Sequence, residues 1–170
     1  DVFRGLEAAA AAGLTPVKVN AVLMRGVNDV EAVDLLTFCL ERGYELRFIE
    51  QMPLDAQHAW TRAEMIAADE ILALLSTTYD LVADEVPRGS QPAEKFRVRS
   101  FDGTDRGSVG IIGSVTRPFC AACDRVRLTA DGAVRNCLFA RDEHPIRDIV
   151  RGGGTDEDIA AVFLGAMAVK

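Results

Sequence analysis

The chain has 170 residues, 49% of them apolar, and a formal net charge of −7. That length allows one ordinary domain or two small ones, with a core that needs no disulfide staples. The acidic balance argues against general nucleic-acid binding, and no segment approaches the roughly 20 apolar residues of a membrane span.

The start, Asp1-Val2-Phe3-Arg4, lacks the basic-then-apolar pattern of a signal peptide and has no initiator Met. The expectation is a cytoplasmic protein, given as a piece of a longer chain or a processed product. Four cysteines in such a setting read as thiols or metal ligands rather than disulfides.

Taken in order, the Ala-rich run 3–12 before Gly13 predicts a helix with a glycine C-cap. Residues 17–24 are rich in β-branched side chains and predict a strand. Gly26, Asn28 and Asp29 mark a loop and an N-cap, followed by a helix over 30–42. Cys39 lies on that helix's apolar face with Val33 and Leu36, as a buried structural thiol does. Residues 45–51 predict a second strand. Thr61 with Glu64 three residues on predicts a capping box and a helix to about Thr77. The order α-β-α-β-α is that of a parallel α/β arrangement. A closed eight-stranded barrel takes about 250 residues, so this is at most part of one.

Residues 84–94, with Pro87, Gly89 and Pro92, are the expected linker between a unit over 1–83 and a second over 95–170. Beyond it, 95–101 and 108–115 predict short strands. Residues 125–129 and 133–137 predict a hairpin about Ala130-Asp131-Gly132, with Gly at the last loop position. Helices are expected over 145–151 and from Thr155 onward. His58 and Trp60 are assigned no chemistry. Gly152-Gly153-Gly154 is expected to be a flexible connection, because it lacks the flanking strand and Lys-Ser/Thr of a phosphate loop.

The chemistry concentrates in Cys120, Cys123 and Cys137, spaced C-x2-C-x13-C. If Thr129 pairs with Ala133, Arg127 falls opposite Arg135 and Arg125 opposite Cys137. The return strand then brings Cys137 back beside Cys123. Period-two alternation sets Arg125 and Arg127 on one face, joined by Arg135 in this register, and Val126 and Leu128 on the other. Two metal sites fit this pattern. One is zinc, with His144 the nearest fourth ligand. The other is a 4Fe-4S cluster with three cysteine ligands and one open iron, beside arginines that can receive an anion. Spacing alone does not choose between them.

The run Phe119-Cys-Ala-Ala-Cys-Asp-Arg-Val-Arg-Leu-Thr-Ala-Asp-Gly132, followed by Cys137-Leu138-Phe139, resembles the C-terminal half of a known family. This is the radical S-adenosyl-L-methionine (SAM) GTP 3′,8-cyclase family of molybdenum cofactor biosynthesis. Val17-Lys18-Val19-Asn20, Arg25-Gly-Val-Asn-Asp29, Arg47-Phe-Ile-Glu-Gln-Met-Pro53 and Pro92-Ala93-Glu94 resemble further blocks of it. The resemblance implies the end of a partial TIM-type (βα) barrel over 1–83, then a small α+β domain over 95–170 carrying an Fe-S cluster. It implies that Cys120, Cys123 and Cys137 hold a 4Fe-4S cluster whose open iron binds guanine. Arg125, Val126 and Arg127 would contact GTP. Lys18 and Arg47 would bind GTP from the barrel interior, in part through its phosphates. Asn20 and the Met52 backbone would contact S-adenosyl-L-methionine.

Two features of the family have no counterpart here. One is the N-terminal C-x3-C-x2-C motif, whose cluster cleaves SAM to the radical that removes hydrogen from C3′ of GTP. The other is a terminal Gly-Gly, where this chain has Val169-Lys170. The resemblance therefore implies that this chain does not turn over alone. It needs an N-terminal radical SAM portion, and the full-length protein is expected to be a homodimer that uses no nucleic acid or membrane. A zinc-stabilised binding module and another radical enzyme with an auxiliary cluster are the competing readings.

Overall fold

Alternating apolar and polar residues build the main sheet, seen in a computed structural model that describes residues 1–54, 56 and 58–170. Its strands are β1 (Lys18–Leu23), β2 (Glu45–Glu50), β3 (Asp80–Ala83), β4 (Glu94–Arg99) and β5 (Asp105–Ile112), in the order β1-β2-β5-β4-β3. The first three neighbours, β1, β2 and β5, run parallel, and β4 and β3 extend the sheet antiparallel. The fold is mixed α/β with a mixed sheet.

One face of this sheet is the core. Leu46 and Phe48 of β2, Val109 and Ile111 of β5 and Val98 of β4 are fully buried there. They pack with Leu36 and Cys39 of α2 (Ala32–Glu41) and with Ile71 and Leu75 of α3 (Ala68–Leu75). Leu6 and Ala10 of α1 (Val2–Ala11) lean on the same cluster. The period of two sends Lys18, Asn20, Glu45 and Arg47 to the opposite face.

Three expectations change. The helix expected over 61–77 spans only Ala68–Leu75. Thr61 closes a single turn, accepting the Glu64 N–H at 3.3 Å, and Met65 forms an antiparallel bridge with Met24. The N-cap is Ala67, which has no side-chain acceptor, so the Glu70 carboxylate takes the Ala67 N–H at 3.0 Å. Residues 80–83 form a strand the sequence did not suggest. Residues 84–94, the expected linker, lead from β3 into β4 of the same sheet.

The chain divides into two compact units, Asp1–Cys123 and Asp124–Lys170. The second holds a three-stranded antiparallel sheet of β6 (Arg127–Leu128), β7 (Ala133–Arg135) and β8 (His144–Pro145), in the order β6-β7-β8. Two helices follow, α4 (Arg147–Arg151) and α5 (Asp156–Ala168). Its core is Val134, Ile146 and Ala166, with Val162 and Phe163 packed on them. Thr155 caps α5 in a reciprocal box: its hydroxyl accepts the Asp158 N–H at 3.2 Å, and Asp158 accepts the Thr155 N–H at 2.9 Å. The glycines at 152–154 form an ordered turn, in which the Gly154 N–H donates to the Ile149 carbonyl at 2.8 Å. Among the described residues, no helix is long and apolar enough to cross a membrane.

Candidate functional site

In the first unit, parallel register assembles a charged surface on the non-core face of the sheet. Lys18 stands opposite Glu45 and Asn20 opposite Arg47. Arg47 Nε and Nη2 both donate to Glu45 Oε1, at 2.8 and 2.6 Å. Lys95 Nζ lies 3.6 Å from the other carboxylate oxygen. Gly110 is the β5 register partner of both Arg47 and Lys95. A Cβ at Gly110 would come within 3.1 Å of Arg47 Cγ and 3.2 Å of Ala93 Cβ, so the missing side chain makes room for the arginine stem. Burial works against the Glu45 charge. The Arg47 hydrogen bond and the charges of Arg47, Lys95 and Lys18 outweigh it, and the carboxyl titrates below its ordinary range. Lys18, Asn20 and Arg47 thus share one face of the sheet.

The segment after β2 is fixed by two contacts. Trp60 Nε1 donates to the Gln51 carbonyl at 2.9 Å, and the Met52 carbonyl accepts the Leu54 N–H at 2.8 Å. Met52 itself is half-buried. At the end of β2, fully buried Glu50 ties three segments together. Its carboxylate accepts the Ala68 N–H at 2.7 Å, the Val115 and Thr116 N–H groups at 2.7 and 2.8 Å, and the Thr116 hydroxyl. That loop continues to Arg117, which pairs with Glu94 at 2.5 Å and with Asp69. A 3-10 turn over Cys120–Ala122 follows, with Cys120 exposed and Cys123 half-buried.

In the second unit the hairpin has the expected register. Arg127 pairs with Arg135 and Leu128 with Val134, and the Thr129 N–H donates to the Ala133 carbonyl at 2.9 Å. Gly132 sits at φ 83° in the last loop position, and a Cβ there would meet Arg147 Cβ at 2.9 Å. Its carbonyl accepts the Ile146 and Arg147 N–H groups at 2.9 and 3.1 Å, anchoring the loop to the start of α4. Arg125 and Arg127 are half-buried while Val126 and Leu128 are exposed, so the alternation holds. The ladder itself stops at Arg127. Arg135 pairs with Glu143, which accepts its Nε at 2.7 Å.

The three cysteines are divided between the units, Cys120 and Cys123 in the first and Cys137 in the second. None is in a disulfide. Cys137 Sγ accepts the Phe139 N–H at 3.4 Å, a contact of the kind that tunes cluster thiolates. Three accessible thiols without competing disulfides suit an iron-sulfur cluster. Within either unit, no three described His, Cys, Asp or Glu side chains stand ready to hold a metal ion. His144 is a strand residue of β8 paired with Val134. Cys39 is fully buried, and burial raises its thiol to about 11 against a smaller opposing effect of Arg42, which suits an inert core residue.

Sequence reading passed over Glu45, Lys95 and Glu50. Glu45 was visible as the partner two residues before Arg47 on one strand face. Glu50 was visible as a carboxylate in step with Leu46 and Phe48.

Residues 44–170 match the family model described as Molybdenum Cofactor Synthesis C. A GTP 3′,8-cyclase of Paenarthrobacter nicotinovorans is 53% identical over 100% of this chain and 50% of its own length. One of Streptomyces coelicolor is 57% identical over 98% of this chain and 48% of its own. A GTP 3′,8-cyclase 2 of Mycobacterium bovis is 54% identical over 99% of this chain and 47% of its own. The chain spans about half the length of the curated relatives it matches. With its cysteine spacing, its hairpin and this match, the chain belongs to the Molybdenum Cofactor Synthesis C family.

Proposed function

We propose that this chain is the substrate-binding half of a GTP 3′,8-cyclase, which converts GTP to 3′,8-cyclo-7,8-dihydro-GTP in molybdenum cofactor biosynthesis. The observation that carries this reading is the C-x2-C-x13-C spacing with Arg125 and Arg127 in the intervening segment, on a hairpin whose register pairs Arg127 with Arg135. The names of relatives 53% and 57% identical support it. Cys120, Cys123 and Cys137 are the residues to hold a 4Fe-4S cluster, which when bound supplies an open iron position for the guanine base. Arg125, Val126 and Arg127 orient the nucleotide there. Lys18 and Arg47 bind it from the sheet face by charge-assisted hydrogen bonds, in part through its phosphates. Asn20 and the Met52 backbone contact S-adenosyl-L-methionine. Residues 1–83 belong in this reading to a partial barrel, and 95–170 to the cluster-bearing part, in a cytoplasmic enzyme. The chain has no C-x3-C-x2-C motif, so SAM cleavage falls to the rest of the full-length protein.

The test is anaerobic reconstitution of the full-length protein with iron and sulfide. A brown, oxygen-sensitive protein is expected, with an electron paramagnetic resonance signal that GTP perturbs. Cys137→Ser should lose about half of the bound iron, since one of two clusters goes. A colourless protein that retains only zinc, or an iron signal indifferent to GTP, overturns the reading.

A further inference from the structure

The non-core face of the first unit's sheet carries Lys18, Arg47 and Lys95 against one carboxylate, Glu45. Arg47 and Glu45 are largely shielded, with side chains only 17% and 14% exposed. Lys18 is exposed and Lys95 is 37% exposed, so this face presents a net positive charge to which an anion is attracted. We propose that Glu45 is the positioning residue for the anionic end of the substrate, and that Lys95 is a third cation contacting it beside Lys18 and Arg47. This rests on the nucleotide-binding reading above. Glu45 takes one edge of the guanidinium, Nε and Nη2, through a single oxygen. Nη1 meets no acceptor among the described residues and stays available to a phosphate oxygen. The 3.6 Å separation of Lys95 from Glu45 Oε2 is an ion pair beyond hydrogen-bond reach, so the ammonium keeps its donors for a ligand. Gly110 is the register partner of both Arg47 and Lys95, and its missing side chain lets the arginine stem lie across it toward the same face as the lysine. A triphosphate chain, with several negative charges and many acceptors, is the part of the nucleotide that this surface complements.

The sign of the Glu45 effect separates positioning from simple charge. Removing a negative charge from a cationic site should by Coulomb attraction alone strengthen binding of a polyanion. Positioning predicts the reverse. In calorimetric titrations of the full-length protein, Glu45→Gln is expected to weaken GTP binding about fivefold to tenfold and guanosine binding less than about twofold. In an Arg47→Met background, Glu45→Gln should have little further effect, because the loss passes through Arg47. Lys95→Met should cost GTP about tenfold and spare guanosine. Glu45→Asp keeps the charge but withdraws it by one methylene and should fall between wild type and Glu45→Gln, with all variants checked by circular dichroism. A merely structural Glu45 would lower the melting temperature and leave the ratio of GTP to guanosine affinity untouched, which overturns the proposal. So does unchanged or tighter GTP binding in Glu45→Gln and Lys95→Met while Lys18→Met and Arg47→Met lose it. If all four variants keep GTP affinity, the nucleotide-binding reading falls and this proposal with it.

Discussion

Glu50 illustrates how one side chain organises the region that leads to the cysteines. A fully buried carboxylate is tolerated only when its oxygens are satisfied, and this one has four donors from two distant segments. It replaces the missing side-chain cap of α3 through the Ala68 N–H, and it holds the loop four residues before Cys120 through Val115 and Thr116. Glu50→Gln keeps the shape but turns one oxygen into an amide donor facing two donors. The expected loss is about 2–4 kcal/mol of stability, read as a lower urea midpoint at unchanged slope. A midpoint equal to wild type would show that the carboxylate's charge and acceptor capacity are dispensable. Position 50 was legible as a core position of its strand, two residues after Phe48. Its role was not, because its partners lie 18 and 66 residues away along the chain.

At the scale of elements, local signals decided what could be read. The hairpin's register was legible, because a three-residue loop ending in glycine fixes which residues face each other, but its length was not: the ladder ends at Arg127–Arg135 and does not reach the expected Arg125–Cys137 pair. Gly132 is held there by its left-handed φ and by the closeness of Arg147. Gly132→Ala is expected to cost about 1–3 kcal/mol and to loosen the start of α4, seen as faster amide exchange at Ile146 and Arg147. Unchanged protection of those amides would mean the loop rearranges at no cost. Helix α3 was misplaced because Thr61 and Glu64 imitate a capping box, whereas the real N-terminus is capped by Glu50 from a strand and Glu70 from the helix itself. Strand β3 was missed because four residues carry too little alternation to read, and its pairing with β4 is set by tertiary context. The charged sheet face was half legible. Lys18, Asn20 and Arg47 came from motif blocks, but only the parallel pairing of β1 with β2 placed Glu45 against Lys18, and only the antiparallel pairing of β4 with β5 brought Lys95 into the group.

For the whole molecule, the shifted titrations bound the pH range of stability from both sides. The carboxyls of Glu45, Glu70, Asp102, Asp131 and Asp158 all titrate below their ordinary values. Hydrogen bonds are the favourable cause in each, assisted by neighbouring cations except at Asp158. As pH falls below about 5, the unfolded chain therefore takes up protons before the folded one, and stability drops through the folded pKa values. The Cys39 thiol is shifted the other way, to about 11, by burial. Its contribution is complete below the unfolded thiol value of about 8.5 and is lost as pH rises from there through the folded value. A broad plateau between about pH 6 and 8 is expected, with urea midpoints falling on both sides. Cys39→Ala should lower the plateau, because a buried group is removed, yet flatten the alkaline limb. Glu45→Gln should flatten part of the acid limb and leave the alkaline one intact, since its charge no longer has to be discharged on acidification. An acid limb as steep in Glu45→Gln as in wild type would mean that the Arg47–Lys95 surface does not hold that carboxylate ionised.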